Sequence, residues 1–195
     1  GNLISQAQTP VMDALERQYP FTLLAASGEA VGMPEGSVGN SEAGHLHIGT
    51  GRAILSDRLR VDVALRDGSF NRNEAFLWAM RSAKAEGKRL HLLGIVSFYS
   101  SHGAMEHLLG LMRLAKQEGL SEVYVHGMLG RRGEQPESGA NYVALAESEA
   151  AKLGVGQVVS VIGRFWSLDR EYNWDRIAKT YDMLVRGAGA PVCVA

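Results

Sequence analysis

The residues best suited to chemistry lie in a glycine-rich stretch near the amino end of the chain. Seven glycines fall between Gly28 and Gly51, and Ser41 stands just before a short predicted helix. Backbone amides at a helix start attract phosphate and favour a negatively charged oxygen. Ser41 is therefore placed to act as a nucleophile if its hydroxyl is activated, most effectively by a bound divalent metal. Spacing alone favours a simpler interpretation, in which Ser41 is an ordinary helix cap.

Two common serine and phosphate motifs do not fit this stretch. The residues around Ser41 do not form Gly-x-Ser-x-Gly, so a hydrolase nucleophile elbow is not supported, and no Walker lysine follows the glycines. His45 and His47 would face one side of a strand and could bind metal there, but on a helix they point about 200° apart. No cluster of carboxylates and histidines completes a metal shell, so both are interpreted as structural or ligand-supporting residues.

A second set of candidate residues follows the predicted strands. One histidine and several arginines stand in three successive loops: His102, Arg132, Arg164 and Arg170. In parallel sheets ligands gather at the carboxyl ends of strands, and arginine binds carboxylate and phosphate oxygens bidentately. Each arginine taken alone is better explained as a solvated surface charge. Their shared location favours a site for a small anionic, phosphorylated acid.

Strands that alternate with helices must position these loops. The pattern predicts an α/β fold with a largely parallel sheet. Two domains are expected, residues 1–54 carrying the glycine-rich loop and residues 55–195 forming a three-layer α/β/α domain. The predicted strands are 21–26, 89–96, 122–129 and 157–162. The predicted helices are 9–18, 56–66, 73–86, one through Met105 and Met112 that stops at Gly119, 138–153, and a last one that ends at Gly187 and buries Trp174, Ile177, Tyr181 and Leu184.

Composition narrows the class of protein. The 195 residues carry a formal net charge of −1, which gives no electrostatic reason to expect nucleic acid or an anionic membrane as partner. No apolar run approaches the roughly 20 residues of a membrane helix, and no signal peptide is evident. Cys193 is the one cysteine, which excludes an internal disulfide, and its apolar surroundings make it a poor nucleophile. A cytoplasmic, monomeric protein is expected.

The stretch from Gly28 to Gly36, followed by Gly39-Asn40-Ser41-Glu42-Ala43-Gly44-His45, closely resembles the nucleophile segment of the 2,3-bisphosphoglycerate-independent phosphoglycerate mutases. The resemblance raises Ser41 from helix cap to nucleophile, and it continues over nearly the whole chain. Further similar segments are Asp67-Gly68-Ser69-Phe70, Glu106-His107-Leu108, Val123 to His126, Gly154 to Gln157, Gly163-Arg164, Asp169-Arg170 and Trp174-Asp175-Arg176.

The resemblance implies a two-domain isomerase that interconverts 3- and 2-phosphoglycerate through a phosphoserine. A domain related to alkaline phosphatase holds two manganese ions, with magnesium or cobalt as alternatives, and an inserted α/β domain binds the substrate. Ser41 matches the nucleophile and a metal ligand, and His102, Arg132, Arg164 and Arg170 match substrate-binding residues. The chain begins after one metal-binding aspartate of the family and stops before the remaining ligands, so it is expected to be inactive alone.

Departures from the family pattern leave two further hypotheses. Phe98, Tyr99 and Gly133 replace family residues in the substrate loops, and position 133 is an aspartate that contacts glycerate hydroxyls in the family. One alternative is therefore a related phosphotransferase or phosphohydrolase that acts on another phosphorylated or phosphonylated acid. The other, suggested by the missing metal ligands, is a non-catalytic anion-binding remnant.

Overall fold

The structure is a computed structural model that describes residues 2–97, 103–130, 135 and 138–190. The chain divides into two compact units, Gly1–Ser56 and Asp57–Ala195. The helices are α1 Pro10–Gln18, α2 Ser41–Thr50, α3 Asp57–Asp67, α4 Glu74–Ala85, α5 Met105–Gln117, α6 Ser138–Leu153, α7 Arg164–Ser167 and α8 Trp174–Arg186. The strands are β1 Leu90–Ile95, β2 Val123–Leu129 and β3 Gln157–Gly163.

A parallel sheet of the order β1-β2-β3 organises the described part of the second unit. Each strand is followed by a helix, as parallel crossover connections require. The α/β class and the parallel sheet predicted from the sequence are therefore confirmed. Parallel strands end at the same edge, so Leu129 and Gly163 are direct neighbours at the carboxyl ends of β2 and β3.

The hydrophobic core lies between this sheet and the helices that pack on it. Met112 is completely buried, and Met80, Leu109, Val123 and Val125 are nearly so. The methionines come from α4 and α5 at helical spacing, which puts them on one face of each helix. A hydrogen bond between His107 Nε2 and Asp62 Oδ1, at 2.6 Å, also joins α5 to α3.

The predicted strand 21–26 is wrong, because these residues do not belong to any strand in the structure. The nearest pairing is a single antiparallel bridge between Ser27 and Val38. Leu24 in this segment is 86% exposed. A strand needs a neighbour to complete its backbone hydrogen bonds, and the described residues offer none here.

The predicted burial on the last helix is also wrong in part. Trp174 is 70% exposed, and Tyr181 and Leu184 are exposed as well, whereas Thr180 is the buried residue of α8. The helix packs on α7, and no further layer among the described residues covers its outer apolar face. The periodicity of apolar residues correctly located α8, but it did not show how much of the apolar face of this helix is buried.

No helix in the described part of the chain is both long and apolar enough to cross a membrane.

Candidate functional site

The glycine-rich segment forms a closed loop that leads into α2. The Gly28 N–H donates to the Ser37 carbonyl at 2.9 Å, and the Met33 N–H donates to the Gly28 carbonyl at 3.1 Å. Gly39 lies so near the chain that an added Cβ would be 2.3 Å from the Ala26 carbonyl oxygen. Only glycine allows this close approach. The loop therefore fixes the point at which α2 begins.

Ser41 is the first residue of α2 and is not its cap. The cap is Asn40, whose Oδ1 accepts a hydrogen bond from the Ala43 N–H at 2.8 Å. The helix-cap interpretation of Ser41 is therefore wrong. Because Asn40 caps the helix through the Ala43 N–H, the exposed Ser41 hydroxyl is not needed for capping.

His45 lies one turn beyond Ser41 and faces it. Its Nδ1 is 2.7 Å from the Ser41 carbonyl oxygen and 3.2 Å from Ser41 Oγ. A carbonyl only accepts, so Nδ1 carries the proton and donates to it. His47 points elsewhere and bonds the Ile54 carbonyl through Nε2 at 3.0 Å. The two histidines lie on a helix and have separate contacts.

Arg164 stands at the predicted sheet edge. It is the first residue of α7, directly after β3, and its side chain runs along Gly130 at the end of β2. An added Cβ on Gly130 would be 3.2 Å from Arg164 Cγ, and Gly130 has a φ of +95°. The structure thus brings Arg164 to the start of the loop that follows β2.

Arg170 lies in the turn between α7 and α8. It is exposed, and its neighbour Asp169 is inward, with a side chain only 5% exposed. Burial opposes ionisation of Asp169, but hydrogen bonds from the Asn173 side chain and from the Asn173 and Glu171 backbones, with the charge of Arg176, outweigh it and lower the pKa of the carboxyl. Asp169 is therefore a charged anchor of this turn.

The remaining predicted site residues lie outside the described residues. These are His102 and Arg132, together with the departures at Phe98, Tyr99 and Gly133, and Cys193. The Ser41 loop belongs to the first unit, and Arg164 and Arg170 belong to the second.

A metal site is not formed by the described part of the chain on its own. No group of three or more histidine, cysteine, aspartate or glutamate side chains there could hold a metal ion. Ser41 has His45 beside it and no carboxylate hydrogen-bonded to its hydroxyl within the described ranges. The residues present therefore do not fit a metal ion by themselves.

The hydrogen-bond network of Asp169 was not predicted from the sequence. Asn173 follows Asp169 by four residues and Arg176 follows it by seven. This spacing is helical, although Asp169 lies before the first residue of α8. Aspartate that bonds backbone N–H groups two residues ahead is typical of a turn. That pattern is the signal from which the anchor could have been found.

Comparison with known proteins gives a match to one family and to a solved structure. The family model described as the N-terminus of BPG-independent PGAM (iPGM_N) matches residues 61–193. A crystal structure of phosphoglycerate mutase from Leishmania mexicana, determined at low cobalt concentration, superposes with a TM-score of 0.81 and 28% sequence identity. The match covers 95% of this chain and 35% of that one, so the chain spans about a third of the relative's length.

Proposed function

Because the chain belongs to the family of BPG-independent phosphoglycerate mutase N-termini, matched over residues 61–193, we propose that it is part of an isomerase interconverting 3- and 2-phosphoglycerate, a step of glycolysis and gluconeogenesis. The observation that carries the proposal is the exposed Ser41 hydroxyl at the first turn of α2, where Asn40 performs the capping. Free amides and the helix dipole at this end favour a phosphoryl group.

The proposed reaction transfers one phosphoryl group twice. Ser41 Oγ bonds to phosphorus while the bond between phosphorus and the C3 oxygen of the substrate breaks. The serine proton is lost, and the departing glycerate oxygen gains a proton. Glycerate then turns, and its C2 oxygen attacks the phosphoserine, which restores the Ser41 hydroxyl and releases 2-phosphoglycerate.

Arginines hold glycerate during this turn in the proposed mechanism. Arg164 and Arg170 supply guanidinium groups for carboxylate and phosphate oxygens, and by resemblance His102 and Arg132 take the same part. Neither Arg164 nor Arg170 pairs with an acidic side chain within the described residues. Retention of glycerate is what separates a mutase from a phosphatase, because an escaped glycerate leaves the phosphoserine to water.

Several properties of the complete enzyme are proposed from the resemblance. Residues 1–54 belong to a phosphatase-like domain, and residues 55–195 to an inserted substrate-binding domain. Two divalent metal ions are required, with manganese first and magnesium or cobalt as alternatives; the relative from Leishmania mexicana was studied with cobalt. The enzyme is a cytoplasmic monomer without nucleic-acid or membrane partners, and the 195-residue chain alone is inactive because its only matched metal ligand is Ser41.

A second candidate is a related phosphotransferase or phosphohydrolase for another phosphorylated or phosphonylated acid. The observation that favours it is Gly133, which stands where the family has a glycerate-binding aspartate. Loss of a carboxylate at this place removes a hydrogen-bond acceptor for the glycerate hydroxyls. The variant Gly133→Asp separates the two candidates: a large gain in phosphoglycerate turnover supports the mutase, and an unchanged rate supports the other substrate.

The decisive experiment uses the complete natural polypeptide with added manganese. We expect interconversion of the two phosphoglycerates, and a mass increase of one phosphoryl group on the peptide that contains Ser41 after a quench. Ser41→Ala should abolish both signals, while Ser148→Ala, an exposed serine of α6, should abolish neither. A folded, manganese-loaded protein without interconversion, or full activity in Ser41→Ala, contradicts the proposal.

The same preparation tests the metal requirement. Removal of metal by a chelator should stop turnover, and manganese should restore it. An intact mass near that of the 195 residues, with no bound manganese, would instead favour the anion-binding remnant.

A further inference from the structure

The turn between α7 and α8 is built around one carboxylate. Asp169 Oδ1 accepts hydrogen bonds from the Glu171 N–H at 3.1 Å and from the Asn173 N–H at 3.0 Å. Oδ2 accepts from Asn173 Nδ2 at 2.8 Å and from an Arg176 guanidinium nitrogen at 3.0 Å. All four bonds reach residues that follow Asp169 in the chain. The carboxylate therefore fixes the path of the turn and the start of α8.

This path includes a backbone conformation that a side chain rarely adopts. Tyr172 has a φ of +64° although it is not a glycine. The residues on both sides of it, Glu171 and Asn173, are the two whose N–H groups bond Asp169. A strained residue persists when its surroundings over-determine it. The two bonds from Asp169 supply that constraint.

Of the two arginines near this carboxylate, one is fully engaged. Arg176 pairs with Asp169 Oδ2, and its guanidinium carbon lies 4.0 Å above the centre of the Phe165 ring. Its charge is thus neutralised on one side and stacked on the other. Arg176 acts as a structural arginine in this turn.

The other arginine is left available. Arg170 is adjacent to Asp169 in sequence and is exposed, yet all the bonds of Asp169 go elsewhere. No acidic side chain within the described ranges pairs with Arg170. An arginine without a partner is ready to bind an anion, since no ion pair must be broken first.

We propose that Asp169 is a positioning residue that holds the 169–173 turn and neutralises Arg176, so that Arg170 remains free as the anion-binding guanidinium of this loop. The inference rests on the proposed function, because it takes Arg170 as a group that binds phosphoglycerate. It adds a positioning role for Asp169 and Arg176, which pair with each other.

The test is a double-mutant cycle in the complete enzyme, with 3-phosphoglycerate as substrate. Arg170→Ala removes the binding group, and Asp169→Ala removes the anchor. We expect each single variant to raise KM about tenfold and to change kcat less than about twofold, as loss of uniform binding does. In the Arg170→Ala background, Asp169→Ala should raise KM by less than about twofold further, because contacting residues that act together are not additive.

Two milder variants keep the test decisive if Asp169→Ala does not fold. Asn173→Ala removes one side-chain bond to Asp169, and Arg176→Gln removes the charged partner; each should raise KM, by less than the roughly tenfold rise expected for Arg170→Ala. Asp169→Asn retains an acceptor for the backbone N–H groups and should recover part of the loss. The control is Asp175→Asn, an exposed acid on the next turn, which should leave KM unchanged.

The possible outcomes distinguish failure of the Asp169 inference from failure of the proposed function. If Arg170→Ala leaves KM unchanged, the assignment of Arg170 fails and the inference fails with it. If Arg170→Ala raises KM but the Asp169 variants do not, or if their effect is undiminished in the Arg170→Ala background, the inference alone is overturned and the proposed function stands.

Discussion

Two imidazoles share a hydrogen bond on one face of the sheet. His91 Nδ1 on β1 is 2.9 Å from His126 Nε2 on β2, and His126 Nδ1 is 2.7 Å from Ser160 Oγ on β3. A single proton fills the space between the two rings. If both rings were charged, two N–H groups would face each other at that distance. A charged His91 therefore opposes protonation of His126.

We expect this arrangement to make the folded protein less stable in acid. Burial first, and then the nearby charge of His91, lower the pKa of His126 below its ordinary value. Below the ordinary pKa of about 6.5 the unfolded chain therefore binds more protons at this residue than the folded chain does. The unfolding free energy should fall as the pH drops from 7.5 through 6.5 to 5.5. Urea unfolding at these three values measures the fall.

His126→Gln should reduce this pH dependence, because glutamine keeps polar contacts but does not titrate. Ser160→Ala is the matched control, since it removes the hydroxyl on β3 and leaves the imidazole pair. The titratable and charged groups near His126 among the described residues include His91, which is hydrogen-bonded to it, and Glu147, Lys179 and Asp182, which line the same groove. A pH slope in His126→Gln equal to that of the unaltered protein would contradict the explanation.

At the scale of elements, a bulge in β3 makes this contact possible. Val125 pairs with Val158, but His126 pairs with Ser160, so Val159 is an extra residue in β3. In a regular ladder, without a bulge, Val159 would pair with His126 and Ser160 would not. Bulges shift the register of side chains in this way. The sequence gives no signal for this bulge, because Val158 and Val159 are equally suited to a regular strand.

Most elements of the second unit could be predicted from the sequence. The predicted bounds for β1, β2, β3, α4 and α6 agree with the structure to within one residue. Apolar periodicity and terminal glycines are local signals, and here they agree with the packing. The predictions for residues 21–26 and for the outer face of α8 were wrong because an apolar pattern shows only what a segment is able to bury. It does not show whether a partner surface is present.

The placement of Arg164 at the carboxyl end of β3 could be predicted from the sequence, whereas the contacts around Asp169 and Ser41 could not. Arg164 follows a strand, and parallel strands bring such residues to one edge. The role of Asp169 could not be read in the same way. Two arginines, Arg170 and Arg176, follow Asp169 in the sequence, and only the path of the turn determines that Asp169 pairs with Arg176. For Ser41, the adjacent Asn40 competes for the cap, and the structure resolves that competition.

The ends of β2 and β3 offer a test of how closely the site-bearing elements pack. Gly130→Ala should lower the unfolding free energy by about 1–3 kcal/mol, because φ is strained for alanine and the added Cβ meets Arg164 Cγ at 3.2 Å. The measurement is urea unfolding of the 195-residue chain. Because the same Cβ displaces the Arg164 stem, KM for phosphoglycerate should rise in the complete enzyme.

Gly163→Ala is the matched control for this prediction. Gly163 ends β3 as Gly130 follows β2, but its φ is −74° and an added Cβ meets no atom within 4 Å. Its effect on stability should stay within about 0.5 kcal/mol. Equal losses in the two variants would show that crowding at Arg164 is not the cause.

At the scale of the whole molecule, burial is unevenly divided between the units. The core cluster, from Met80 to Val155, belongs entirely to the second unit. The first unit buries Met33 and Ala43, whereas its larger apolar side chains, such as Leu24 and Phe21, are exposed. Hydrophobic burial is the dominant favourable term in folding. Stability measured on this chain should therefore report mainly on residues 57–190.

Two methionines that differ in burial allow this division to be measured with one kind of substitution. Met112 is 0% exposed in the core of the second unit, and Met12 on α1 is 63% exposed. Met112→Ala should lower the unfolding free energy by about 2–5 kcal/mol, since the deleted side chain leaves a cavity, a large share of the 5–15 kcal/mol typical of a domain. Met12→Ala should change it by less than about 0.5 kcal/mol.

Hydrogen exchange of the intact chain locates the loss of stability. The amides of β2 should lose protection in Met112→Ala and keep it in Met12→Ala. Strong protection of residues 21–26 in the unaltered chain would contradict this account, because it would require hydrogen bonds that the described residues do not provide.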